Sequence, residues 1–229
     1  MNNNNTIIQE TSGLNAFYSR VYAFVGLGIG VSALVAGLML TVLQNTLFTI
    51  ATTSSWLVYG SIIAELILVF WASGLAMKNS PSALPVFLGY SALNGFTISF
   101  IVARYTQGTV LSAFISSSVL FFVMAAMGRV VKKDLSGMGR ALIAALWGII
   151  IASIVNFFMA SSAFDFMLSI VTVLVFAGLT AWDNQKIRYV YEQAGGNVSN
   201  GWAVSLALSL YLDFINLFLS LLRIFGRND

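Results

Sequence analysis

The chain has 229 residues, of which 59% are hydrophobic and 8% charged, whereas an ordinary soluble domain carries about 25% charged residues. No water-soluble fold of this length hides so much apolar surface, and the small excess of 11 Lys and Arg over 8 Asp and Glu argues against a nucleic-acid site. The lack of Cys and His removes thiol and Ser-His catalysis, disulfides, His-ligated haem and the usual zinc ligand sets, so any metal bound is a hard, oxygen-seeking cation.

Residues 1–16, with a run of four Asn, read as a polar tail too short and too hydrophilic to fold alone, and are expected to be disordered. Residues 17–229 read as one seven-span transmembrane domain. Apolar runs of about 20 residues, enough to cross roughly 30 Å of hydrocarbon, fall at Phe17–Val42, Trp56–Met77, Ser82–Ala103, Thr109–Gly128, Ala141–Ala160, Phe164–Gln185 and Trp202–Phe225. The first is too long for a signal-peptide core and is expected to remain in the protein. Its Gly26 and Gly30 have the small-xxx-small spacing of close helix packing, while Pro85 and Gly95 are expected to kink the third span.

Basic residues set the orientation. With the N-terminus cytoplasmic, eight of them (Arg20, Lys78, Arg129, Lys132, Lys133, Arg140, Lys186 and Arg188) lie inside, and Arg104, Arg223 and Arg227 lie outside, in accord with the positive-inside rule. The loop Val131-Lys-Lys-Asp134-Leu-Ser136 reads as one such inner anchor, with Asp134 placed to start the next helix.

Charges inside the spans are penalised by a few kcal/mol each and call for an explanation. Glu65 lies in the middle of the second span, Asp213 in the middle of the seventh, and Asp183 near the inner end of the sixth. The breaker cluster Gly195-Gly-Asn-Val-Ser-Asn-Gly201 places a turn centred on Val198, with Asp183 and Asp213 each fifteen residues from it. Both carboxylates then stand at one height, and a pair meeting in a low dielectric shares a proton. Fully ionised, it offers up to four oxygens to Ca²⁺, and Asn216, one helical turn beyond Asp213, offers another. The bland alternative for Asp183 is a helix end solvated beside Lys186 and Arg188. Glu65 reads equally as a second station on an ion path or as a neutral helix contact.

Three runs carry a resemblance: Lys132-Lys-Asp134-Leu-Ser136, Asp183-Asn-Gln-Lys186-Ile, and Ser209-Leu-Tyr-Leu-Asp213-Phe-Ile-Asn216-Leu-Phe218. Together they resemble the Bax inhibitor-1, or transmembrane Bax inhibitor motif, family over essentially all seven spans. The resemblance implies an all-α integral membrane fold with six helices surrounding a central seventh, and a pH-sensitive Ca²⁺ leak gated by a di-aspartyl pair, here Asp183 and Asp213. It also implies that Glu65 lines the ion route. Some bacterial relatives carry a basic latch near the inner end of the second helix; that place is Ala76 here, and Lys78, two residues on, is the candidate substitute. Other members look like modulators of a membrane protease or suppressors of cell death, so a modulator that binds another membrane protein is the alternative reading.

An intramembrane aspartyl protease also places two aspartates on neighbouring spans, but Tyr211-Leu-Asp213 stands where Gly-x-Gly-Asp is required, and no proline follows Pro85. The expectation is therefore a non-enzymatic bacterial plasma-membrane protein, with the bilayer and Ca²⁺ as partners and no cofactor beyond the transported ion.

Overall fold

The computed structural model describes the backbone of residues 3–228 and the side chains of residues 12–54 and 56–227. Among the described residues there are only helices: α1 (Asn3–Thr41), α2 (Gln44–Thr53), α3 (Ser55–Met77), α4 (Ala83–Val102), α5 (Gln107–Val130), α6 (Ser136–Met159), α7 (Ser162–Gln193) and α8 (Asn200–Phe225), closed by a 3₁₀ turn at Gly226–Asn228. Every one except α2 is long and apolar enough to cross a membrane, so the protein is a seven-span all-α membrane protein with spans close to those expected.

Two local features differ from expectation. The polar N-terminal stretch is helical from Asn3 onward and continuous with the first span, because adding residues to an existing helix avoids the cost of nucleating one. The connection between the first two spans contains α2, whose ten residues are too few to span and bury only Leu47.

Solvent-type exposure is inverted relative to a soluble protein. Phe70, Trp71, Trp147, Phe157 and Phe158 all stand on the outside, where in water they would form an adhesive patch; in lipid, hydrocarbon is their solvent. Intrahelical hydrogen bonding satisfies the backbone at that depth.

The chain forms two compact units. The first holds the residues up to Arg104 together with Val190–Tyr211, and the second holds Tyr105–Tyr189 together with the chain from Leu212 on. Of the seven spans α8 is the most buried, and each unit packs on its own part of it.

In the first unit α1 and α4 approach closely, but not through the glycines that the spacing suggested. A Cβ added at Gly26 or Gly30 would meet nothing within 4 Å among the described residues; instead Gly28 faces Phe87, Ser91 and Tyr211, and Gly95 rests on the backbone of Ser32. A four-residue spacing marks a helix stripe without saying which stripe meets a neighbour, and here the neighbouring stripe does. Gly95 is thus a contact point. Pro85 falls in the first turn of α4, where its missing N–H has no intrahelical partner to lose, so it does not kink the helix.

In the second unit α5 and α7 touch at Gly128, whose missing side chain leaves room for the carbonyl of Ala181. Phe121 and Phe114 pack edge-on against Phe214 of α8, with ring centroids 5.7 and 5.8 Å away. The turn between α7 and α8 uses Gly195 and Gly196 at φ +58° and +82°, values that glycine adopts without a Cβ penalty.

Candidate functional site

Asp183 and Asp213 both belong to the second unit and are 6% and 3% exposed. They act on each other electrostatically. The α7 helix carries Asp183 because nothing from Ser162 to Gln193 breaks it, and α8 carries Asp213 in a continuous apolar run.

Asp183 has an ion-pair partner on its own helix. Lys186, one turn along α7, places its ammonium Nζ 2.7 Å from Asp183 Oδ1. The same ammonium lies 3.3 Å from the centre of the Trp182 ring, a cation–π arrangement that holds a charge where water is scarce. Asp213 contrasts with Asp183, since its buried Oδ2 has no hydrogen-bond partner among the described residues. Burying an ion without a partner is costly, and an open carboxylate oxygen in such a place is a site for a proton, a water or a cation.

The remaining members of the Asp183-Asn-Gln-Lys186 run have separate tasks. Asn184, fully buried, donates from Nδ2 to the carbonyl of Ala125 on α5. Gln185 donates from Nε2 to the carbonyls of Lys133 and Val131 at 2.9 and 3.2 Å and accepts from Leu135 N–H at 2.8 Å. In that loop the Ser136 hydroxyl and N–H, with Arg140 nearby, hold the exposed Asp134 carboxyl below the usual aspartate range.

Asn216 lies one turn beyond Asp213 and donates its amide to the Leu212 carbonyl at 2.8 Å. Lys78 stands exposed at the C-terminal end of α3. The base bonded to Asp183 is Lys186.

Glu65 belongs to a separate constellation in the first unit. Asn94 Nδ2 of α4 donates to Glu65 Oε2 at 3.0 Å, and Tyr211 of α8 donates its phenol proton to Asn94 Oδ1 at 2.8 Å. Ser32 of α1 shares a 2.7 Å hydrogen bond with that phenol oxygen. Thr97 lies beside Glu65 and shares a 3.0 Å hydrogen bond with Ser61. Glu65 Oε1 is buried without a hydrogen-bond partner among the described residues. Tyr211 is held edge-on by Phe87 and Tyr90, so its hydroxyl has one direction in which to point.

The sequence placed Lys186 beside Asp183 only as part of a solvated helix end, and gave no role to Gln185, Asn94, Tyr211 or Ser32. The i,i+3 spacing of Asp183 and Lys186 was a usable signal for the ion pair. Neutral Asn, Tyr and Ser inside apolar helices carry no comparable warning.

The chain is similar over its whole length to known bacterial membrane proteins. An uncharacterised membrane protein of Streptococcus pyogenes is 52% identical over 229 residues, covering all of both chains. The YrjE protein of Lactococcus lactis is 49% identical over 227 residues, 99% of this chain and 97% of that one. The inner membrane protein YbhL of Escherichia coli is 38% identical over 226 residues, 97% of this chain and 96% of that one. The family described as inhibitor of apoptosis-promoting Bax1 matches residues 14–229. Taken with seven helical spans and two buried aspartates on the last two of them, this match makes the chain a member of the Bax inhibitor-1 family.

Proposed function

We propose that the protein is a pH-sensitive leak pathway for Ca²⁺ or a similar hard cation, gated by Asp183 and Asp213. The observation that carries this reading is the open Oδ2 of Asp213, buried and within electrostatic reach of Asp183. Two ionised carboxylates and one ammonium leave a net negative site, which attracts a cation out of water. Protonation removes that attraction, so the passage of cations falls as pH falls. Two carboxylates supply at most four of the six to eight oxygens that Ca²⁺ takes, and water supplies the remainder. The ion is cargo in transit, and no chemical step is assigned to the protein.

In the same reading Glu65 is a further station for positive charge in the first unit, with Asn94 and Thr97 as its supports. The bacterial plasma membrane is the setting, with the N-terminus in the cytoplasm as the distribution of Lys and Arg favours.

The test is Ca²⁺ entry into proteoliposomes loaded with a Ca²⁺ dye. Wild type conducts at neutral pH, and Asp213→Asn conducts at least tenfold less while keeping its helical spectrum and elution volume. Equal flux from the two proteins would refute the reading.

A further inference from the structure

The loop between α5 and α6 remains outside any role in ion passage, and its construction is unusual for a plain connector. Five residues, Val131 to Leu135, join two spans and therefore lie at a face of the bilayer. Gln185, 92% buried by its 8% exposure, uses its whole amide on that loop's backbone: Nε2 on the carbonyls of Val131 and Lys133, and Oε1 on the N–H of Leu135. Arg188 Nη2 adds a 3.4 Å contact to the Val131 carbonyl, and Asp134 Oδ1 accepts from Ser136 N–H at 2.8 Å.

The consequence is a loop whose peptide groups are bonded inward while its charges face out. Lys132 and Lys133 are exposed and make no ion pair among the described residues. Arg140 is exposed near the start of α6, four residues after Ser136. A flexible basic loop collects counterions diffusely, whereas a loop held at three backbone points presents its ammonium groups in a fixed arrangement and loses less entropy on binding.

We propose that this pinned loop is a binding site for the phosphate headgroup of an anionic phospholipid, with Lys132 and Lys133 as the contacting groups and Gln185 as the residue that positions them. A lipid is the occupant because the loop sits where headgroups are, at the ends of two spans, and because basic groups beside a membrane are drawn to an anionic surface. Gln185 adjoins Lys186 and lies two residues from Asp183, so headgroup binding bears on the same turn of α7. The site does not depend on whether ions pass through the protein.

The experiment uses the full chain in nanodiscs of phosphatidylcholine containing spin-labelled phosphatidylglycerol or spin-labelled phosphatidylcholine, reading the motionally restricted fraction of each. Wild type restricts phosphatidylglycerol preferentially, and the preference falls about fivefold or more in K132Q/K133Q. It survives in K132R/K133R. Gln185→Met changes no charge and leaves Lys132 and Lys133 in place, yet it loses most of the preference because the loop is released. Melting curves of each variant verify folding. Equal preference in wild type and K132Q/K133Q would overturn the site. Full preference in Gln185→Met would overturn the positioning role, since any basic loop would then suffice.

Discussion

Lys186 holds Asp183 by a 2.7 Å ion pair while its ammonium rests on the Trp182 ring, whereas Asp213 feels that ammonium without pairing to it and makes no ion pair among the described residues. The difference in their sequence surroundings carries through to the fold: Asp183 comes with its own cation, and Asp213 has an oxygen without a hydrogen-bond partner among the described residues.

Removing that tethered cation by K186Q leaves the buried Asp183 carboxylate without its ion-pair partner. Stability in detergent should fall by about 1–3 kcal/mol, less than for a wholly buried pair because the Lys186 side chain is 35% exposed. D183N added to K186Q should restore part of the loss, so the two changes are not additive. Denaturant titrations of the single and double variants measure the coupling, and strict additivity would show that the ion pair contributes nothing.

Y211F tests the polar chain in the first unit. Loss of the phenol hydroxyl strips Asn94 Oδ1 and Ser32 of a partner without changing ring packing against Phe87 and Tyr90. The expected cost is about 0.5–2 kcal/mol, the range for hydrogen bonds between membrane helices, read by thermal melts. N94L should cost more, because Glu65 then loses its donor as well.

Gly128 and Gly26 make a matched pair of probes. G128A drives a methyl group into the Ala181 carbonyl, and backbone cannot yield as a side chain can, so a loss of about 1–3 kcal/mol is expected. G26A meets nothing and gains helix propensity, for a change between zero and about 1 kcal/mol in the stabilising direction. The same melts compare them.

Much of this architecture was readable beforehand because bilayer thickness sets a length that apolar runs must match, so seven spans can be counted. Asp183 and Asp213 were visible for a related reason: charge inside a span stands out against its surroundings. The short α2 was not, since its mix of Thr, Asn and aliphatic residues has neither the length of a span nor the breakers of a loop. Nor were the Gly28 and Gly95 contacts, because spacing along one helix does not reveal the azimuth of its neighbour. The chain Ser32–Tyr211–Asn94–Glu65 draws on four separate helices, from α1 to α8, and only folding brings them together.

Asp134 provides the pH-dependent case outside the spans. Its carboxyl is held below the ordinary value of 3.8, so it favours the folded state when ionised. The contribution is present above the unfolded value and disappears as pH falls through the lower folded one. Wild type should therefore melt slightly above D134A at neutral pH, and the two curves should converge below pH 3.8. A melting series in detergent from pH 7 downward checks this; a difference that persists unchanged at low pH would assign the effect to packing.

Of four consecutive side chains on α7, three reach different sets of partners and the fourth folds back on the first. Successive residues on a helix are separated by about 100°, so Asp183 lies within electrostatic reach of Asp213, Asn184 reaches the Ala125 carbonyl, Gln185 the α5–α6 loop, and Lys186 returns to Asp183. That turn is braced around its circumference. Rotating α7 about its axis would break the bonds of Asn184 and Gln185 together, so this helix serves as the stator of the second unit. If the aspartates gate an ion as proposed, torsions of the Lys186 and Asp183 side chains suffice, short motions that need no helix to leave its place.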